Sequence, residues 1–369
     1  MKYLLLALVF TFLHSQEKTI EINHILDGTF RTSGIGSYSW VNGEDAYYFS
    51  KKDSSGMNFF KYNIVSDDTT KVFSIDSDTI NQFSYTFSAD QSKLLLKKNI
   101  VRLWRHSSYA TYHVYDIRSE TLQSVSANPD RLRNVKFSPD SKHIAYVRED
   151  NNLYLYNLES NEESQLTFDG SETILNGHFG WVYEEEFGSY DAYRWSPNSQ
   201  YISFFREDQS MVKKYPLIDY ETKYPTVKYI YYPKAGEDNP EISIGLIDIV
   251  NQTSSIQNLP KDAYYIPDMV WQQGTSSLFI GTLNRKQNNW KFYRHDLELN
   301  DNTLILNDIS DTWIDNDAFL IPENLGSWSS RGGFSFAIMN DGTIVWTSER
   351  DGFNHIYRSR SDGRFINQV

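Results

Sequence analysis

Three adjacent carboxylates between large apolar side chains, Trp181-Val182-Tyr183-Glu184-Glu185-Glu186-Phe187, are the residues best suited to chemistry in this sequence. Crowding like charges is costly unless a cation sits among them, so this is not an ordinary solvated acidic run. A second stretch, Leu103-Trp104-Arg105-His106-Ser107, sets charge among aromatic and apolar residues in the same way. The two are expected to face one pocket and to grip the amino end of a peptide. A free α-amine has a pKa of about 8, and paired carboxylates favour its charged form and accept its N–H donors. Neighbouring side chains on a strand point to opposite faces, so Glu185 and Glu186 converge only if the backbone leaves strand geometry. A short helical turn held by Trp181, Tyr183 and Phe187 is therefore expected. Arg105, a permanently charged fork of donors, can pair with the glutamates when the site is empty and donate to a peptide carbonyl when it is full.

Other chemistries find little support. The absence of cysteine removes disulfides, thiolate nucleophiles and thiolate-bound metals. The eight histidines are dispersed along the chain, with one directly beside an aspartate (His295-Asp296), so no metal site is expected, and His106 and His113 read as packed or surface residues rather than catalysts. No catalytic residue and no cofactor is assigned. A net charge of -13 makes nucleic acid a poor partner, since phosphates need Lys and Arg, while it suits cationic ligands. Asn251-Gln252-Thr253 fits a glycosylation acceptor.

The elements that must position these residues read as all-β. Aromatics make up 15% of the 369 residues, a richness that favours strands. A phrase recurs in which an aromatic residue leads through a polar turn into an apolar strand. It is seen at Trp40-Val41-Asn42-Gly43, Phe87-Ser88-Ala89-Asp90, Phe137-Ser138-Pro139-Asp140, Trp195-Ser196-Pro197-Asn198, Trp271-Gln272-Gln273-Gly274 and Met339-Asn340-Asp341-Gly342. Hairpins repeating at roughly fifty residues, each followed by a second strand pair, predict a β-propeller of four-stranded blades, about five to six in number. Met211 to Pro240 breaks the pattern with four prolines among tyrosines, and reads as a projecting arm fit for a protein contact. At the N-terminus, Lys2 and an apolar run from Tyr3 to Leu13 predict a signal peptide over residues 1–15, and so export to a bacterial envelope or medium.

Four stretches together resemble the N-terminal propeller of the dipeptidyl peptidase IV family. They are Trp104-Arg105-His106-Ser107 with Tyr112, Tyr115 and Asp116; the acidic stretch with Tyr193-Arg194-Trp195-Ser196-Pro197-Asn198; Pro216-Leu217-Ile218-Asp219-Tyr220; and Tyr232-Pro233-Lys234-Ala235-Gly236 with Asn239-Pro240. The resemblance implies a propeller of about eight blades followed by an α/β-hydrolase domain, the two together removing X-Pro or X-Ala dipeptides from peptide N-termini. It implies that Glu185 and Glu186 hold the substrate ammonium, that Arg105 contacts a substrate carbonyl, and that the 211–240 arm contributes to a homodimer. Two departures stand beside it. No Gly-x-Ser-x-Gly elbow occurs here, and the last blades and the hydrolase domain are not present, so residues 16–369 are expected to form a truncated propeller inactive by itself. The competing expectation is a stand-alone propeller that binds peptides or proteins without chemistry.

Overall fold

The computed structural model describes residues 20–31, 37–314, 336–339 and 341–369; the leader expected over residues 1–15 lies outside them. Each recurring phrase becomes the first turn of an antiparallel sheet. In the second sheet Ser84–Phe87 runs into the turn and Lys93–Arg102 runs out, with Phe87 opposite Leu94. Ser88 closes this turn. Its N–H donates to Lys93 O (2.9 Å) and its Oγ donates to Asp90 Oδ1 (2.6 Å). Gln91 takes the left-handed conformation that the tight return requires (φ 58°). Ser138, Asp140 and Ser141 repeat the arrangement, and so do Ser196, Asn198 and Ser199. The same turns tie neighbouring sheets. The Asp90 N–H donates to Ser141 Oγ (3.2 Å), and the Asp140 N–H to Ser199 Oγ (2.9 Å). One short polar phrase thus closes its own hairpin and fixes the next.

Among the described residues six such sheets follow one another as the blades of a β-propeller, within the range expected from the repeat. They begin at Tyr38–Trp40, Ser84–Phe87, Arg133–Phe137, Ile174–Asn176, Tyr265–Trp271 and Phe336–Ile338. Five are four-stranded meanders in sequence order. The first strands of blades two to six line one central cavity of about 1310 Å³, so the first strand of each blade is innermost. Apolar side chains pack face to face between blades. Phe59 of the first blade stacks on Phe73 and meets Tyr85 of the second, while Trp290 of the fifth sits against Phe336 and Trp346 of the sixth.

The fourth blade departs from the pattern in a way that makes the site. It counts five strands because its innermost strand is cut in two. Ile174–Asn176 pairs with one end of Tyr201–Asp208, and Tyr193–Trp195 pairs with the other. The residues between them leave the sheet and form the helix Trp181–Phe187. A second excursion from the same blade is the arm expected over residues 211–240. Lys214–Asp219 and Thr226–Tyr231 pair only with each other, as a two-stranded ribbon. Pro216 is tolerated there because a ribbon this narrow has free edges.

Blades four and five are also joined by a buried polar contact, Trp271 Nε1 donating to Ser203 Oγ (2.9 Å). Replacing Ser203 with alanine strands the indole N–H away from water. The expected cost is about 1–3 kcal/mol, read as a lowered urea midpoint with unchanged slope. An unchanged midpoint would show that the contact holds nothing together.

Candidate functional site

The acidic helix is defined at both ends by glycine. Gly180, at its start, donates its N–H to Glu207 Oε2 (2.8 Å), and a Cβ there would stand 2.7 Å from Glu207 Oε1. Gly188, at its end, adopts the left-handed conformation (φ 66°) that stops a helix, and its N–H donates to Tyr183 O. The expected helical turn is thus present. Successive side chains on a helix are about 100° apart, which gives the three glutamates three different surroundings.

Glu184 points inward on the face shared with Tyr183 and Phe187, and is 1% exposed. Its Oε1 accepts the backbone N–H groups of His106 (2.7 Å) and Ser107 (2.9 Å), which belong to the second blade. Glu185, half-buried, accepts a bidentate pair from Arg105: Nη2 to Oε1 at 2.6 Å and Nε to Oε2 at 3.2 Å. Those bonds raise the Arg105 pKa further. Glu186 is exposed, with no hydrogen-bond or ion-pair partner among the described residues, and its charge is felt at the Tyr265 hydroxyl. The structure therefore brings Arg105 and Glu185 into direct contact across eighty residues of sequence and leaves Glu186 open beside them.

Arg105 sits in a tight connection between Lys93–Arg102 and Ser108–Asp116, closed by the Leu103 N–H donating to Ser107 O (3.0 Å). The His106 ring stacks on Tyr190, just beyond the helix, and both line the central cavity. The arm supplies a third side. Tyr232 at its base packs at a tilt against Trp181 with ring centroids 4.8 Å apart, and the Lys228 ammonium lies 4.2 Å from the ring of Trp104, the residue before Arg105.

Sequence reasoning singled out Arg105, Glu185 and Glu186 but gave Glu184 no separate part. A signal for it exists: Glu184 stands three residues before the apolar Phe187, a spacing that puts the two on one face once the segment is helical. Tyr232 lay in one of the resembling stretches without a part in the site, and Lys228 lay within the arm with no signal of its own. The described residues contain no cluster of three His, Asp or Glu side chains able to hold a metal.

Glu207 is another buried carboxylate of this region, 0% exposed, with Oε1 unpartnered among the described residues. Burial pushes it up to about 7, against the smaller effect of the Gly180 N–H. A carboxyl raised in the fold is favoured protonated, so its stabilising contribution is complete below the unfolded pKa and is lost as pH rises through about 7. Glu207→Gln removes that loss. The variant is expected to gain stability over the parent progressively between pH 5 and 8, by up to about 3 kcal/mol, read as the difference in urea unfolding. A gain independent of pH would mean that Glu207 is charged throughout.

With this geometry in place, similarity to known proteins is specific. Residues 88–369 match the family described as the dipeptidyl peptidase IV N-terminal region. The crystal structure of Porphyromonas gingivalis dipeptidyl peptidase 4 superposes with a TM-score of 0.83 at 29% identity, over 96% of this chain and 49% of that one. Dipeptidyl peptidase 4 of Trichophyton rubrum is 28% identical over 89% of this chain and 42% of its own length. A probable dipeptidyl-aminopeptidase B of Talaromyces marneffei is 29% identical over 74% and 34%. The chain thus spans less than half the length of these relatives.

Proposed function

This chain belongs to the dipeptidyl peptidase IV N-terminal region family, and on that premise we propose that it is the substrate-binding propeller of an exported serine-type dipeptidyl peptidase. The observation that carries the reading is the Arg105–Glu185 pair, set beside an unpartnered Glu186 and adjoining in sequence the cavity-lining His106. Glu185 and Glu186 take the ammonium of a peptide. Arg105 is released from Glu185 as the ammonium arrives and donates to a backbone carbonyl of the same peptide. Both interactions are charge-assisted, and together they measure distance from a free N-terminus, which removal of N-terminal X-Pro or X-Ala dipeptides requires. The sequence has no Gly-x-Ser-x-Gly elbow, so peptide-bond cleavage is assigned to groups outside these 369 residues. The arm is assigned to a homodimer contact, consistent with its exposed Tyr220 (72%), Tyr224 (77%) and Tyr229 (61%).

Calorimetry with the tripeptide Ala-Pro-Ala and its N-acetylated form tests the reading. The free-amine peptide is expected to bind and the acetylated one to bind at least about tenfold more weakly. A Glu185→Gln, Glu186→Gln double variant should bind both forms equally. Equal binding of both peptides by the parent chain would favour a plain peptide-binding module instead. Incubation with a Gly-Pro chromogenic substrate is expected to release no product; turnover would place a nucleophile within this chain.

A further inference from the structure

Arg133 opens the innermost strand of the third blade and is buried, 7% exposed, with no carboxylate paired to it among the described residues. Burying a guanidinium without a partner is expensive, so its surroundings call for an account. Its Nη2 donates to His178 Nε2 (2.5 Å) and to Asn151 Oδ1 (3.1 Å), the Tyr109 ring lies 5.2 Å away, and its Nε has no partner. Burial brings it down to about 10, so it is cationic at neutral pH. His178 is neutral for the matching reason: burial and the adjacent guanidinium both oppose its protonation. Among carboxylates, the one acting on Arg133 most strongly is Glu184, ahead of Glu149. Glu184 Oε2 is in turn buried and unpartnered.

The next residue continues the arrangement. Asn134 has φ 54°, at a point where the strand slips register against Ala145 and Val147. Such a bulge lets neighbouring side chains reach the same way. Asn134 Nδ2 donates to Gly177 O (3.0 Å) and Tyr190 O (3.1 Å), the two ends of the excursion that carries the acidic helix. Lys136 completes the set with bonds to Asp191 (2.9 Å) and Tyr193 O (2.6 Å). One strand of the third blade therefore clasps the whole excursion, and only Arg133 in that clasp brings an unpaired charge.

We infer that Arg133 is a positioning residue of the amine site: it holds the approach to the acidic helix through His178 and supplies positive charge that acts on Glu184, so that Glu184 can clasp the His106 and Ser107 amides and present Arg105 to Glu185. The consequence for peptide binding rests on the function proposed above; the positioning itself does not. Three blades then share the work. The second carries the guanidinium, the fourth carries the carboxylates, and the third holds the fourth in place.

Amide hydrogen exchange on the 369-residue chain tests this without any peptide, with the Ile280 amide of the fifth blade as reference. In Arg133→Gln and in Glu184→Gln, exchange at His106 and Ser107 is expected to speed up by about tenfold or more while Ile280 is unchanged. Arg133→Lys, which keeps the charge, should stay within about threefold of the parent, and the Arg133→Gln, Glu184→Gln double variant should exchange no faster than Glu184→Gln alone. Parent-like exchange in Arg133→Gln, or additive effects in the double variant, would overturn the inference. If Arg133→Gln yields no folded protein, Arg133→Lys decides: retained protection supports the charge role, and protection lost at these two amides alone overturns it. A chain that behaves as expected here yet fails to bind Ala-Pro-Ala contradicts the proposed function and leaves this inference standing.

Discussion

A buried carboxylate that accepts two backbone N–H groups from another blade is the contact on which the rest of the site depends. Glu184 reaches from the fourth blade to the amides of His106 and Ser107 in the second. It fixes the backbone immediately after Arg105, and the guanidinium then has one place to go. The neighbouring Glu185 meets it there with two hydrogen bonds. A surface ion pair between long side chains is ordinarily weak because holding two flexible chains in one geometry costs entropy. Here the backbones on both sides are already held, one by the tight Leu103–Ser107 closure and the other by a glycine-bounded helix. The pair is preorganised by a buried neighbour whose own bonds go to backbone.

The propeller explains how such a contact can exist. Its blades are rigid because each turn phrase closes one hairpin and bonds to the next, as Asp90 does to Ser141 and Asp140 to Ser199. Between these fixed sheets the loops and excursions are free to carry function. The fourth blade exploits this twice, cutting its innermost strand to admit the acidic helix and extending the arm that packs on both Trp181 and Trp104. The residues that follow the acidic helix, Tyr190 and Asp191, line the central cavity.

The propeller itself was legible in the sequence because its signal is local. An aromatic residue, a polar turn and an apolar strand lie within about ten residues, and turn chemistry repeats wherever the backbone repeats. The helical turn was legible for a similar reason: two neighbouring glutamates read as one amine grip cannot both serve it from a strand. The arm was visible from its prolines. What was not legible depends on contacts between distant segments. Glu184 and Ser107 are 77 residues apart, and Arg133 and His178 are 45 apart, so neither pairing leaves a mark on its own stretch. Glu207 reads as one more acidic residue on an alternating strand, and only the closeness of Gly180 shows why it is buried. The split of the fourth blade's first strand was hidden too, since both halves carry the residue types of ordinary short strands.

The most direct measurement of the central claim is a crystal structure of this chain with Ala-Pro-Ala bound. The account predicts the peptide ammonium within about 3 Å of carboxylate oxygens of both Glu185 and Glu186. It also predicts the Arg105 guanidinium turned from Glu185 toward a peptide carbonyl, with the Glu184 bonds to His106 and Ser107 unbroken. An ammonium seated elsewhere, or an Arg105 still locked to Glu185 with the peptide in place, would contradict it.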